Sequence, residues 1–200
     1  MTDPVSGYTY AFPMTSVATD IAVFHFAEKG GLQIALVRRG EDSEAYPGAW
    51  ALPGGFFRPD NDQDITACVL RELSEEAGLI LPAHVAGQPH VELVGVYSAK
   101  GRDPRPERVI SIAHLAVLTG DQVSLAPIPD TDVSEARWFP FDAVADLDLA
   151  RHGVGEIDER VRPRCRDLDV EAVDVEHPQR LVDLVDMVGE AARCGMDCAD

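Results

Sequence analysis

Clusters of apolar residues along the chain predict β-strands with helices interspersed among them. Segments rich in Val, Ile and Leu, each bounded by Gly, Pro or polar turn residues, are typical of strands. These segments are Ser16–Ala27, Leu32–Gly40, His90–Ala99, Arg108–Leu118 and Glu135–Pro140. The pattern predicts an α/β or α+β fold.

Apolar residues at helical spacing predict two longer helices. The first extends from about Gln63 to Ala77 and is followed by Gly78, a typical residue at the C-terminal end of a helix. The second extends from Pro178 to Cys194 and has proline in its first turn. A further helix is expected to begin at Phe141, and we find no internal repeat.

The composition restricts the classes of partner. The chain has 200 residues, 46% of them hydrophobic, and a formal net charge of −18. This length and apolar content suit one domain with a buried core. Such an acidic protein has no broad electrostatic reason to bind nucleic acid or a membrane surface. An anionic ligand would need local positive charge from a metal ion or from a few arginines.

The sequence favours a cytoplasmic protein. It contains neither an apolar leader nor a run of the ~20 apolar residues that a membrane span requires. Its cysteines match no zinc-binding pattern and are interpreted as structural; they are Cys68, Cys165, Cys194 and Cys198. A metal or redox pair formed by the last two is the alternative.

Three glutamates, Glu72, Glu75 and Glu76, lie within five residues of the first predicted helix. At ~100° per residue, their carboxylates share one face of the helix. The packing side is formed by Leu70, Leu73 and Ala77. Arg71 lies one turn before Glu75, within reach of an ion pair. The acidic face is either a solvated surface or a site for a hard dication such as Mg²⁺; the glycine-rich stretch before the helix favours the second interpretation.

The segment RELSEEAGL, Arg71 to Leu79, resembles the signature of the Nudix hydrolases: Arg-Glu-aliphatic-x-Glu-Glu-x-Gly-aliphatic. WALPGGF before the helix and EARWFP at Glu135 are similar to further landmarks of that family. The resemblance covers roughly Thr15 to Leu147. It implies an α/β fold, namely an α/β/α sandwich with a mixed sheet.

The chain is expected to divide into three parts, of which the resemblance accounts only for the middle one. They are an irregular lead-in over 1–14, a Nudix domain over 15–150 and a C-terminal helical extension over 151–200. The helix Pro178–Cys194 in the extension would pack on the domain or on a partner. Relatives are often dimers, and the sequence leaves open whether this chain forms a homodimer.

The chain departs from the family pattern before the helix. The pattern has a glutamate eight residues ahead of the arginine, where this chain has Gln63, flanked by Asp62 and Asp64. The loop from Gly55 is also two residues longer than in the shortest version of the signature. Because glutamine carries no charge, we expect metal binding that is reduced or retuned, not lost.

The resemblance implies that water attacks a pyrophosphate while Mg²⁺, or alternatively Mn²⁺, neutralises the charge. The implied metal ligands are Glu72, Glu75, Glu76 and the carbonyl oxygen of Gly55. Arg71 would orient these ligands. Glu107, in the loop GRDPRPER, is the candidate general base or additional ligand, with an ordinary surface loop as the alternative.

Four residues near the expected cleft are candidates for substrate binding. Arg38 and Arg39 close the second predicted strand, and either one could bind a phosphate. A solvated strand end is the alternative. Trp50 and Phe56 could stack on a base, with ordinary packing as the alternative.

The segment from Val96 to Leu118 is similar to the ADP-ribose pyrophosphatase-like branch of the family. We therefore expect hydrolysis of ADP-ribose to AMP and ribose 5-phosphate. The implied partner is a small-molecule nucleotide, and neither a nucleic acid polymer nor a membrane is expected.

Other functions stay open at this point. The first alternative is a pyrophosphohydrolase of oxidised nucleoside triphosphates. The second is a non-catalytic regulator that senses ADP-ribose, because the same branch includes regulators of NAD metabolism. Such a regulator would need a basic winged-helix domain, whereas the tail is acidic, as in RDLDVEAVDVE, and the three glutamates are intact. A catalytically silent interaction protein is favoured only by Gln63.

Overall fold

The computed structural model of the protein describes residues 14–27, 31–81, 84–85, 88–118, 124–128 and 132–150. The expected lead-in over 1–14 falls almost wholly outside these residues. The expected extension over 151–200, with its helix Pro178–Cys194, lies entirely outside them, as do Cys165, Cys194 and Cys198. What the sequence predicts for those segments stays a prediction.

Within the described residues, the elements follow the order that the sequence predicts. The strands are β1 (Ser16–Ala27), β2 (Gly31–Arg39), β3 (Trp50–Ala51), β4 (Gly54–Phe56), β5 (His84–Val85), β6 (Gln88–Pro89), β7 (Glu92–Tyr97), β8 (Val109–Leu118) and β9 (Val133–Pro140). The helices are α1 (Ile65–Ala77) and a 3-10 helix (Phe141–Asp146). The five predicted strands and the first predicted helix are confirmed, with ends that differ by at most two residues.

The main sheet is mixed, as the expected fold requires. Its strand order is β3-β2-β1-β8-β7, with β4 also beside β1 and β9 also beside β2. Strands β1 and β8 are parallel, from the pair Ser16 and Val109 to the pair His25 and Leu118. The other neighbours in this sheet are antiparallel. Strands β5 and β6 form a separate two-stranded sheet.

Strand β1 changes partner along its length. Its first half pairs with β4, from Ala18 with Phe56 to Asp20 with Gly54. Its second half pairs with β2, beginning at Phe24 with Ile34. Strands β2 and β4 therefore adjoin different parts of β1, and the end of β2 and the glycines of β4 border the same gap in the sheet.

A helix covers each face of the sheet. On one face, Leu73 of α1 belongs to the same buried cluster as Ile21 and Val23 of β1. On the other face, the ring of Phe141 lies edge-on to Phe24, with 5.4 Å between their centroids. The helix predicted at Phe141 is thus a short 3-10 helix, and the α/β/α arrangement is confirmed.

Helix α1 has a defined start and end. Oδ1 of Asp64 accepts the N–H of Ala67 at 2.8 Å, which caps the first turn. Gly78 follows the helix with φ of 69° and donates its N–H to the carbonyl of Ser74 at 3.1 Å. In the described part of the chain, no helix has the length and apolar character needed to cross a membrane.

Cys68 of α1 is fully buried, and its Sγ lies 3.6 Å from Oγ1 of Thr19 in β1. Burial raises the pKa of the Cys68 thiol to about 11, so the thiol is not reactive at neutral pH. This agrees with the structural interpretation of that cysteine.

Replacing Gly78 by alanine should lower the free energy of unfolding by about 2 kcal/mol or more. A side chain in the left-handed region costs about 1–2 kcal/mol, and the new Cβ would overlap the backbone carbonyl oxygen of Ala126. Urea denaturation measures the loss. Gly101→Ala is the matched control: its φ is +79°, but no atom of the described residues lies within 4 Å of the added Cβ. Equal losses for the two variants would contradict the proposed overlap.

Candidate functional site

Two glycines allow the backbone of β4 to lie directly against strand β1 and helix α1. A Cβ on Gly54 would overlap the carbonyl oxygen of Thr19 in β1. A Cβ on Gly55 would lie 2.5 Å from Oε1 of Glu72 in α1. At Gly54 the obstacle is backbone, so only glycine fits there. At Gly55 the obstacle is the end of the Glu72 side chain, whose carboxylate lies directly against the β4 backbone.

Arg71 holds three acidic side chains together. Its Nε and Nη2 donate to the two carboxylate oxygens of Asp62 at 2.7 and 2.9 Å. Its Nη1 donates to Oε1 of Glu72 at 2.7 Å and to Oε2 of Glu75 at 3.2 Å. The predicted ion pair with Glu75 is therefore present. Arg58 adds a second cation, 3.9 Å from Glu72 and 3.7 Å from Glu75.

Glu72 and Glu76 are only 5% and 3% exposed. The interpretation of the acidic face as a solvated surface is wrong for these two residues, because β4 covers them. Oε2 of Glu76 accepts the N–H of Gly54 at 2.8 Å. Burial raises the pKa of Glu76 well above its ordinary value, and the bond from Gly54 only partly opposes this. Burial also raises the pKa of Glu72, against the opposing effect of Arg71.

Two adjoining pockets lie near this acidic face, although its three glutamates line neither of them and are connected to the smaller one only through Gly54 and Gly55. The larger, of about 530 Å³, has the size of a small-molecule site and lies at the end of β2. The smaller, of about 40 Å³, reaches Gly54 and Gly55. Both pockets share Arg39, Phe56 and Arg105 as wall residues, so they are direct neighbours. We call them the large and the small pocket.

The wall of the small pocket contains further charged groups. Arg105 donates to Asp103 at 2.8 Å, and its guanidinium lies 5.2 Å from the centroid of the Phe56 ring. The hydroxyl of Ser111 donates to Asp20. Loss of hydration raises the pKa of Asp20 to about 6, partly opposed by this bond. A buried acidic helix face and a wall containing arginines therefore meet at Gly54 and Gly55.

Residues 17–161 match the family described as the NUDIX domain, which is most of the chain. The chain belongs to the Nudix family. It is 31% identical over 141 residues to the ADPR responsive transcriptional repressor NtrR of Acinetobacter baylyi, a match that covers 70% of this chain and 50% of the repressor. It is 34% identical over 128 residues to the ADP-ribose pyrophosphatase of Methanocaldococcus jannaschii, which covers 64% of this chain and 65% of that enzyme. The chain thus spans between half and two thirds of these relatives.

A solved structure agrees with this assignment. The NUDIX domain of Shewanella oneidensis NrtR, crystallised with ADP ribose, superimposes with a TM-score of 0.65 at 25% sequence identity. The match covers 81% of this chain and 92% of that domain. The similarity therefore extends over nearly the whole of the solved domain.

In this Nudix domain the acid that holds Arg71 is Asp62, one residue before the position where the family has glutamate. Asp62 is 6% exposed, whereas Gln63 is exposed. The hydrogen bonds from Arg71 are the main reason that the pKa of Asp62 lies well below its usual range. The sequence showed an acid on each side of Gln63, but it could not show which one turns inward.

Two of the four predicted substrate-binding residues line the pockets. Arg39 and Phe56 lie in the wall of both. Arg38 donates to the carbonyl of Gly48 at 3.0 Å, and it pairs across β2 and β3 with Trp50. The Trp50 ring packs edge-on against Phe139, 4.6 Å away. Because neighbouring strand residues face opposite sides, Arg38 and Trp50 lie away from the pockets, and the alternatives of a solvated strand end and ordinary packing hold for them.

Glu107 is exposed and does not line either pocket. Its assignment as general base stays a prediction. The same loop contributes Arg102, Asp103 and Arg105 to the small pocket instead. The density of charge in GRDPRPER was the signal for this loop, but the spacing alone did not identify which of its residues face inward.

The acidic residues have the chemistry that Mg²⁺ prefers. No group of three or more His, Cys, Asp or Glu side chains in the described residues is already gathered around one point. This follows from the contacts, because Arg71 holds Glu72 and Glu75 while Glu76 turns to Gly54. The buried Glu76 carboxylate has a raised pKa, so a dication there would supply the missing positive charge. The ligand set of Glu72, Glu75, Glu76 and the Gly55 carbonyl stays a prediction; these groups are oxygen donors of the kind that Mg²⁺ prefers.

Asp62→Asn should lower the free energy of unfolding by about 1.5–3 kcal/mol at neutral pH, since it weakens two hydrogen bonds to a charged group. The folded-state pKa of Asp62 is depressed, so its contribution is complete above the unfolded pKa and is lost as the pH falls below about 4. The gap in the free energy of unfolding between wild type and variant, measured by urea denaturation, should therefore narrow as the pH falls. Asp60→Asn, on the exposed part of the same loop, is the control. A gap as large at pH 2 as at pH 7 would contradict the assignment.

Gln63→Glu should change the apparent Mg²⁺ affinity by less than about fivefold, the range expected for an exposed charge. Gln63 is exposed, and Arg71 is already paired with Asp62. A titration of activity with Mg²⁺ measures the change. A larger gain would mean that the substitution at position 63 does weaken metal binding, as the sequence pattern predicts.

Proposed function

We propose that this Nudix domain hydrolyses the pyrophosphate bond of ADP-ribose to AMP and ribose 5-phosphate, with Mg²⁺ as cofactor. The observation that carries the proposal is the pairing of the complete glutamate set of α1 with the bare backbone of Gly54 and Gly55, beside arginines of the pocket wall. The ADP-ribose pyrophosphatase relative and the NrtR domain crystallised with ADP ribose support the choice of substrate.

The division of labour follows from the contacts. Bound Mg²⁺ would supply charge neutralisation of the pyrophosphate and a water of lowered pKa. Arg71 keeps Glu72 and Glu75 in a fixed orientation. The N–H of Gly54 does the same for Glu76. Arg39, in the wall of both pockets, provides positive charge for the anionic substrate.

The large pocket favours a sugar-bearing substrate over a nucleoside triphosphate. Its rim carries three exposed acids, Asp42, Glu44 and Asp132. Carboxylates accept hydrogen bonds from hydroxyl and amino groups but repel further phosphates. A pocket of about 530 Å³ has room for a nucleoside or a second sugar. The oxidised-nucleotide alternative lacks a comparable observation in its favour.

A regulator that responds to ADP-ribose is the second candidate function, since the chain is 31% identical to a transcriptional repressor of that kind. Recognition of ADP-ribose would use the same pocket wall in both cases. The two functions differ in their need for the carboxylates of α1. A hydrolase requires them for the reaction, whereas a sensor does not. Glu72, Glu75 and Glu76 are all present, and this favours hydrolysis.

Product analysis tests the proposal. ADP-ribose, other nucleoside diphosphate sugars, dinucleotides and nucleoside triphosphates would be incubated separately with the full chain and Mg²⁺, and the products separated by chromatography. Release of AMP from ADP-ribose, absent when the metal is chelated, is the expected result. Tight binding of ADP-ribose without turnover would favour the regulator, and preferential cleavage of triphosphates would refute the substrate assignment.

Glu76→Gln should reduce AMP release by at least about 100-fold, because it removes a charged oxygen donor from the site. The variant should unfold at the same or a higher urea concentration at pH 7. The folded-state pKa of Glu76 is raised, so its ionised form costs stability at neutral pH, and neutral glutamine removes that cost. Glu41→Gln is the matched control, since Glu41 has a side chain that is 79% exposed and lines neither pocket. Full activity of Glu76→Gln would exclude Glu76 as a metal ligand.

A further inference from the structure

Arg102 is a half-buried residue with two guanidinium nitrogens that lack a hydrogen-bond acceptor. Its Nε and Nη1 are shielded from solvent, and neither donates to an acceptor among the described residues. No carboxylate of those residues forms a salt bridge with it. Arg108, on the same loop, is exposed and donates from Nε and Nη2 to the carbonyl of Ser98 at 3.1 and 2.6 Å. A buried donor without an acceptor costs stability, so its presence needs an explanation.

The nearby acids are already engaged by other groups. Arg102 lies in the wall of the small pocket with Asp20 and Asp103. Asp20 accepts the hydroxyl hydrogen of Ser111, and Asp103 pairs with Arg105 at 2.8 Å. Neither acid therefore accepts a hydrogen bond from Nε or Nη1 of Arg102, although the positive charge of Arg102 helps to lower the pKa of Asp20.

The position of Arg102 indicates the chemical class of its partner. The small pocket reaches Gly54 and Gly55, and its wall contains Arg39 and Arg105 as well. Its volume of about 40 Å³ suits a small group, not a nucleoside. In a chain with a net charge of −18, an anion is retained only where local cations outweigh the acids. A phosphate group has the size, the charge and the acceptor oxygens to satisfy an unpaired guanidinium.

We propose that Arg102 binds a phosphate group of the ligand in the small pocket. The identity of the ligand as ADP-ribose rests on the proposed function, whereas the binding of a phosphate by Arg102 does not. In ADP-ribose the phosphate belongs either to the AMP half or to the ribose 5-phosphate half, and the same chemistry serves both.

The test compares Arg102→Ala, Arg102→Lys and the control Arg108→Ala in the full chain. Titration calorimetry without divalent metal would measure the binding of ADP-ribose and of inorganic pyrophosphate. Loss of a charge-assisted hydrogen bond should weaken both about 10- to 100-fold in Arg102→Ala. Arg102→Lys should recover part of the affinity, and Arg108→Ala should stay within about twofold of the wild type. AMP and ribose 5-phosphate would then be tested separately as competitors of ADP-ribose. The compound whose affinity falls more in Arg102→Ala corresponds to the half of ADP-ribose that Arg102 binds.

Stability provides the second readout. Arg102→Ala removes two shielded donors that have no acceptor, so the free protein should unfold at the same or a higher urea concentration than the wild type. A purely structural arginine would give the opposite result. Unchanged affinity for both probes in Arg102→Ala, or a wild type that binds neither, would overturn the inference, and so would a clear loss of stability without a loss of affinity.

The outcomes separate this inference from the proposed function. A wild type that binds pyrophosphate through Arg102 but releases no AMP from ADP-ribose would refute the hydrolase and leave the phosphate site standing. A wild type that hydrolyses ADP-ribose, with an unchanged KM in Arg102→Ala, would refute only the role of Arg102.

Discussion

The guanidinium of Arg71 is the contact on which the rest of the site depends. It lies among Asp62, Glu72 and Glu75, whose mutual repulsion would otherwise be strong in a partly buried setting. Because Glu72 also lies against the backbone of Gly55, this cation fixes the position of the acidic face against β4. Packing of Leu73 against the sheet places α1, but it does not determine how the carboxylates on the other side of the helix are held.

Beyond Arg71, the site contains charges that the described residues do not fully neutralise. Glu76 is a buried acid with a single neutral donor from Gly54, and the half-buried Arg102 has two shielded nitrogens without an acceptor. Both adjoin the glycine pair in β4: Glu76 accepts the N–H of Gly54, and Arg102 lines the small pocket together with Gly54 and Gly55. A dication on the acidic side and a phosphate on the arginine side would neutralise both. Since those two ligands also attract each other, each should bind more tightly in the presence of the other.

The sequence predicted what depends on local information. Helical spacing and Gly78 defined α1 to within two residues, and the signature from Arg71 to Leu79 identified the family. The sequence did not determine the features that depend on pairing between segments far apart in the chain. Strand alternation implies that Arg38 and Arg39 face opposite sides, but only the position of β3 shows which one lines the pockets. The helical angles correctly put Glu72 and Glu76 on one face, yet the burial of that face follows from the pairing of β4 with β1, which no local pattern encodes.

In the proposed assignment, ligand recognition and metal ligation use different side chains, which is consistent with relatives that include both an ADP-ribose pyrophosphatase and an ADPR responsive repressor. The pocket wall of Arg39, Phe56 and Arg105 could bind the same molecule whether or not chemistry follows. The carboxylates of α1 contribute nothing to such recognition unless a cation bridges them to the phosphates. Burying Glu76 against Gly54 is unfavourable in the free protein, since burial raises its pKa. A pure sensor would gain stability by replacing this acid, so its retention is physical support for a catalytic role.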